Sequence, residues 1–150
     1  LTLLNEAIKT NLKNYLNYYR ILTDAINIID AFIINIGVNF EITVATNFNS
    51  NEVLLDCIDQ LKTYFNVDKW QINQPIVMSD IMNILGRVKG VNSVVDVEFK
   101  NLYNTASNYS GNVYDLNTAT KQGIIYPPLD PAIFEVKFLN KDIKGRVVNY

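Results

Sequence analysis

Apolar side chains recur every three or four residues in three stretches, and this period is typical of amphipathic helices. The first stretch covers residues 5–22. The second follows Ser50, a residue type that caps helices, and ends near Phe65. The third follows Ser79 and ends before Gly90, a residue type that commonly terminates a helix. The apolar faces consist of Leu4, Ile8, Leu12, Tyr15, Tyr19 and Leu22 in the first helix, Leu54, Cys57, Ile58, Leu61 and Phe65 in the second, and Ile81, Ile84, Leu85 and Val88 in the third. The face of the third helix is expected to point inward, whereas the first helix is either a stalk or part of the core.

Strict alternation of apolar and polar residues predicts strands between and after these helices. The clearest alternation covers residues 34–44, and a second one covers residues 95–99. Residues 70–77 predict a short edge strand, because Pro75 has no N–H group to donate to a neighbouring strand. Alternation resumes at Ile133, and a polar turn then separates two strands. Residues 133–148 therefore predict a C-terminal β-hairpin.

This order of elements predicts an α+β fold. We expect a two-layer sandwich in which helices pack on one face of a mostly antiparallel or mixed sheet. Residues 1–24 form an N-terminal helix in this interpretation. Because the chain opens at Leu1, inside a helical pattern, we expect that helix to continue from an absent upstream region. Residues 25–150 form the α+β domain, which includes a long loop over residues 101–132.

The long loop is the most unusual feature of the chain, since long connections inside compact domains are uncommon and are often functional. It is polar, yet it carries more aromatic and aliphatic mass than a solvated linker needs. Two interpretations stay open: the loop folds back to cover its own sheet edge, or it contacts another chain. The candidate contact residues are Tyr109, Tyr114, Ile124, Ile125 and Tyr126, and tyrosine is enriched at interface cores.

Basic residues cluster in the predicted hairpin, where Lys144 and Arg146 lie close to Lys137 and Lys141 in sequence. Charge on an edge strand commonly discourages aggregation. The alternative is a contact with an acidic partner surface. Lys144 and Arg146 are therefore also candidate interface residues.

Composition argues against several classes of chemistry. The net charge of −2 lacks the basic excess of a nucleic-acid binder, and no apolar run is long enough to span a membrane. The chain has no histidine and one cysteine, Cys57, which disfavours a zinc site and a cysteine nucleophile. The glycines fit no phosphate-binding loop. The carboxylates of Asp96 and Glu98 share a strand face that normally meets water. We expect no catalytic residue, no metal and no cofactor.

Several long ordered runs carry a family resemblance. They are Tyr19 to Ile42, Asn108 to Pro127, Leu129 to Lys137 and Asp142 to Val148. These runs resemble the C-terminal domain of the large baseplate wedge subunit of T4-like contractile-tailed bacteriophages. None of them is a catalytic signature, so the resemblance implies a structural role.

The resemblance implies a virion protein of the phage tail baseplate that is assembled in the host cytoplasm. Its partners would be copies of itself, as a homodimer or ring, and other baseplate wedge proteins, with no nucleic acid, membrane or small-molecule substrate. The alternative is an independent α+β module that binds a small ligand or regulates a partner. A concave pocket with convergent polar groups would favour that alternative, whereas an extended exposed apolar patch would favour assembly.

Overall fold

The computed structural model describes residues 1–17 and 29–149, and within those residues it contains four helices and seven strands. The protein has an α+β fold, as the sequence predicts, with one mixed sheet and one small antiparallel sheet. The elements in chain order are α1 (Glu6–Asn17), β1 (Phe32–Val44), α2 (Ser50–Tyr64), β2 (Ile76–Val77), α3 (Met78–Gly86), β3 (Val91–Asn101), α4 (Leu116–Ala119), β4 (Thr120–Lys121), β5 (Ile124–Ile125), β6 (Ala132–Glu135) and β7 (Ile143–Val147).

β1 is the centre of the main sheet because three other strands pair with it. β3 pairs antiparallel along one edge, while β6 and β7 pair parallel with the first and second halves of β1. The N–H groups of Phe32 and Val38 donate to Pro131 and Asp142 at 2.9 and 2.8 Å. Residues an even number apart in a strand direct their backbone groups to the same edge. β6 and β7 therefore lie in line along the edge of β1 opposite β3.

The C-terminal hairpin predicted over residues 133–148 is wrong. β6 and β7 run in the same direction as β1 and do not pair with each other. Residues 136–142 connect the two strands. They include a turn in which Lys141 and Asp142 donate their N–H groups to the carbonyl of Phe138. The 13-residue β1 is long enough to satisfy the backbone groups of both segments.

The helices α2 and α3 form the second layer of the domain. They cover the face of β1 that carries Ile36, Val38, Phe40 and Ile42, all at most 2% exposed. The contributing helix residues are Val53, Cys57 and Leu61 from α2 and Ile81 and Leu85 from α3. Gly145 of β7 lies beside Phe40 of β1 in the sheet, and a Cβ atom at this position would clash with the side chains of Phe40 and of Leu54 in α2.

The N-terminal caps predicted for α2 and α3 differ from the caps in the structure. Asn49, not Ser50, caps α2 by accepting from the N–H groups of Asn51 and Glu52. Ser79 does not cap α3, because that helix begins one residue earlier, directly after β2.

Two further predictions are only partly resolved by the structure. The edge strand expected at residues 70–77 is limited to β2, which pairs with β5 in the small sheet. α1 covers part of the helix predicted over residues 5–22. The remainder, and the predicted domain boundary between residues 24 and 25, lie outside the described residues.

Candidate functional site: the cover segment and its exposed surfaces

The segment between β3 and β6, residues 102–131, is called the cover segment here because it lies against the end of the main sheet that the helices leave open. β3 pairs with β1 only from Ile36 onward. Upstream of that residue, the Ile33 carbonyl accepts from Ser110 Oγ at 2.6 Å and from Asn112 Nδ2 at 2.8 Å. The Asn35 carbonyl accepts from the N–H of Leu102 at 2.8 Å. The cover segment thus takes the place of a missing stretch of strand.

A buried polar cluster fastens the cover segment to the sheet. Asn35 is 1% exposed and Glu135 is 2% exposed. Asn35 Nδ2 donates to Glu135 Oε1 at 2.9 Å, and Asn35 Oδ1 accepts from the N–H of Ser110 at 2.7 Å. Since an unpaired buried polar group costs about 1–3 kcal/mol, this pairing holds the segment in one position.

Glu135 is a residue whose environment the sequence pattern does not predict. Alternation along residues 133–139 places it on a solvated strand face, yet Glu135 is buried beside Asn35. Its second carboxylate oxygen contacts the ammonium group of Leu1. Glu135 therefore contacts protein rather than water.

Tyr109 forms a second attachment of the cover segment. Its hydroxyl donates to Asp142 Oδ1 at 2.7 Å, and its ring packs edge-on against Phe138 with centroids 5.6 Å apart. Burial, together with the hydrogen bond to Asp142, raises the pKa of Tyr109 to about 12. Tyr109 thus stabilises the contact between the cover segment and the turn before β7.

Tyr114 and Ile125 also contribute to the domain's own packing. The Tyr114 hydroxyl donates to the carbonyl of Tyr126 at 2.6 Å, and burial raises the pKa of that hydroxyl. Ile125 is 3% exposed in the core, where it pairs with Ile76 of β2. The prediction that Ile125 contacts a partner is therefore corrected, because its side chain is inaccessible in this fold. Ile124, its neighbour, is half-buried.

The exposed surface of the cover segment is apolar at its C-terminal end. Tyr126 is 45% exposed and Leu129 is fully exposed. Together with Pro127 and Pro128 they line a shallow groove of about 740 Å³. Of the tyrosines singled out from the sequence, Tyr126 is the one most available to another molecule.

Lys144 and Arg146 lie on the outer face of β7, the side away from the helices. Both are exposed, and Arg146 forms an ion pair with Glu41 of β1. Within residues 1–17 and 29–149, no acidic group lies within ion-pair distance of Lys144. Of the candidate tyrosines, Tyr109 lies nearest to these cations in the fold, because it bonds to Asp142, two residues before Lys144.

A further apolar surface lies on α1, where the side chains of the predicted stripe are exposed. Ile8 is 48% exposed, and Leu4 and Leu12 have similar values. The helix is tied to the domain through Asp30, which accepts from Lys9 Nζ at 2.6 Å and from the N–H of Leu4 at 3.2 Å. The hydrogen bond from Lys9 lowers the pKa of Asp30. Within residues 1–17 and 29–149, α1 is therefore anchored by polar contacts while Ile8 and Leu12 stay exposed.

A groove of about 580 Å³ is lined by the N-terminal residues on one side and by the start of β1 on the other. Asn35 and Glu135 lie among its lining residues, so it has the concave, partly polar form that a ligand site needs. These polar groups already bond to Ser110, to Leu1 and to each other. Their present arrangement therefore holds the cover segment in place.

The structure also bears on three features considered from the sequence: the single cysteine, metal-ligating side chains and membrane-spanning helices. Cys57 is fully buried, and burial raises the pKa of its thiol to about 11, which keeps it protonated. Across the described residues, no group of three or more cysteine and carboxylate side chains is arranged to hold a metal ion. None of the helices in that part of the chain is both long enough and apolar enough to cross a bilayer.

Sequence reasoning missed Asn35, Glu135, Ser110, Asn112 and Asp142. The sequence contains one signal for the burial of Asn35. The three residues before it, 32–34, are all apolar, a pattern typical of a strand buried on both faces. Nothing local marks the loop residues as their partners.

The chain was compared with protein-family models and with curated protein sequences, and neither comparison finds a match.

Proposed function

We propose that this protein is a structural assembly protein whose role is contact between subunits. The observation that carries the proposal is the exposed apolar face of α1. An isolated helix of 12 residues is marginal in water and is normally stabilised by packing its apolar face. Here Leu4, Ile8 and Leu12 stay exposed, so a partner surface would supply the missing packing.

The cover segment supports the same proposal from a second place in the fold. Its anchored part is held by hydrogen bonds to Asn35 and to the Ile33 carbonyl, and its exposed part presents Tyr126 and Leu129 beside two prolines. A surface that is fixed before association loses little conformational entropy on binding. Aromatic side chains at the centre of such surfaces commonly contribute most of the binding energy.

The assembly that we propose is the baseplate wedge of a contractile phage tail, as the family resemblance implies. The protein would then be a virion component that associates with copies of itself and with other wedge proteins, following assembly in the host cytoplasm. In this role it acts through shape and apolar contact rather than through a reaction.

A small-ligand or regulatory module is the second candidate, and the groove of about 580 Å³ favours it. The polar residues of that groove are occupied by contacts within the chain, so a ligand would have to displace them. We therefore rank this candidate below assembly.

The proposal is tested by measuring molecular mass across concentration with sedimentation and light scattering, alone and with co-expressed neighbouring subunits. We expect the double variant Ile8→Lys with Leu12→Lys to lower the associated fraction strongly, because it places charge on the apolar face of α1. The matched control is Thr10→Lys with Asn14→Lys, which adds the same charge to the opposite face of the helix.

The surface of the cover segment is tested with Tyr126→Ser and Leu129→Ser. Both side chains are exposed, so the free energy of unfolding should change by no more than about 0.5 kcal/mol while association weakens. Tyr114→Ala is less informative, since Tyr114 is half-buried and bonded to the Tyr126 carbonyl. A protein that stays monomeric with and without its neighbours would contradict the assembly role.

A further inference from the structure

β7 is an edge strand, and its outer side is not paired with another strand in the described part of the chain. Asp142 and Val148, which flank it, bond to Val38 and Ile42 of β1. Because backbone direction alternates along a strand, Gly145 and its neighbours two residues away direct their N–H and carbonyl groups outward. A regular row of backbone donors and acceptors is thus presented at this edge.

The two edges of the main sheet differ in regularity. β3, at the opposite edge, has register shifts opposite Glu41 and Thr43. Bulges of this kind disrupt an edge and hinder pairing with another strand. β7 pairs with β1 in continuous register and contains no proline. Of these two edges, β7 is therefore the better template for an added strand.

Charge on β7 restricts which strand can be added. Lys144 and Arg146 are exposed on the outer face, and within residues 1–17 and 29–149 only Arg146 of the two forms an ion pair, with Glu41. Opposite charges on adjacent strands attract, whereas like charges repel. A second copy paired antiparallel about Gly145 would place Lys144 beside Arg146. The charges thus disfavour a second copy and favour an acidic strand.

We propose that β7 binds an extended segment of a partner protein whose acidic side chains occupy alternate positions. The segment would add to the sheet by backbone hydrogen bonds, with its acidic side chains beside Lys144 and Arg146. Its other side chains would lie on the helix side beside Ile143 and Val147, and so would be apolar. This inference rests on the proposed assembly function and names the chemistry of one partner.

The test uses an end-blocked, fluorescein-labelled heptapeptide in which glutamate and valine alternate. Binding is measured by fluorescence anisotropy, and its location by hydrogen exchange of the protein amides. We expect saturable binding that slows exchange at Gly145 and Val147. Lys144→Glu should weaken it about tenfold, since attraction becomes repulsion. Lys69→Glu makes the same change outside β7, in the turn after α2, and should leave binding unchanged.

A charge-swap experiment separates strand addition from general attraction. A heptapeptide that alternates lysine and valine should bind the Lys144→Glu variant better than the unmodified protein. Absence of binding, equal effects of Lys144→Glu and Lys69→Glu, or slowed exchange elsewhere would overturn the proposal. Slowed exchange along β7 in a peptide-free dimer would also overturn it, because a second copy would then be the occupant. Association through α1 is measured separately, so loss of peptide binding leaves the assembly proposal independently testable.

Discussion

The main sheet is covered in two different ways, by apolar packing along its helix side and by polar hydrogen bonds at the start of β1. Along the helix side, Phe40 and Ile42 pack against buried residues of α2 and α3. At the start of β1, Asn35 bonds to Ser110 of the cover segment and to Glu135 of β6. Apolar packing is non-directional and tolerates adjustment, whereas hydrogen bonds demand particular partners. The helix layer therefore provides bulk stability, and the polar contacts determine the position of the cover segment.

The largest expected effect is in the helix layer. Leu61→Ala removes a fully buried side chain of α2 and leaves a cavity, so the free energy of unfolding should fall by about 2–5 kcal/mol. Denaturant unfolding measures this change. Leu55→Ala is the matched control, because Leu55 lies on the exposed side of the same helix. Similar losses for the two variants would contradict the proposed packing.

A smaller effect is expected in the polar cluster. Asn35→Ala removes the hydrogen-bond partner of Glu135 Oε1 and of the Ser110 N–H, at a cost of about 1–3 kcal/mol. Hydrogen exchange should also accelerate at Ser110, because the cover segment is released locally. Asn39→Ala is the control, since Asn39 is half-exposed on the same strand face. If both variants left unfolding and exchange unchanged, Asn35 would not hold the segment.

The smallest effect is expected at Tyr109 and depends on pH. Tyr109→Phe removes the hydrogen bond to Asp142 and should cost about 1 kcal/mol at neutral pH. The pKa of Tyr109 in the folded protein is raised to about 12, above its ordinary value of 10.0. The stabilisation is therefore fully present below pH 10 and is lost as the pH rises through 12.

Unfolding measured from pH 8 to pH 12 should show this difference. The stability gap between the unmodified protein and Tyr109→Phe should be constant at first and should narrow above pH 10. Tyr103→Phe removes a hydroxyl from an exposed tyrosine of the same segment and serves as the control. A gap that stays constant to pH 12 would contradict a stabilising role for the Tyr109 hydroxyl.

The sequence predicted the helix layer better than the region around the cover segment. Alternation predicted β1 within two residues of its observed start, and helical periodicity located α2 and α3. These patterns are local, since each reflects one face of one element turned toward the core. The position of a cap was less predictable, because Asn49 and Ser50 are both suitable cap residues.

The direction of the final strand could not be predicted from local pattern. Alternation and a turn at residues 140–142 fit a hairpin as well as they fit a strand that resumes on the same edge. The edge of β1 decided between them, because it offers backbone groups to both β6 and β7. The burial of Glu135 could not be predicted either. The same alternating pattern fits a strand whose polar face meets water and a strand whose polar face is covered by protein.

By itself, the amino-acid sequence determined the α+β class, the main helices and the central strand, because each follows from the spacing of neighbouring apolar residues. The tertiary structure alone decided that Ile125 is buried, that Asn35 and Glu135 are paired, and that β7, which carries Lys144, pairs with β1. The physical reason is that burial and hydrogen bonding depend on residues distant in the chain, which no local period encodes.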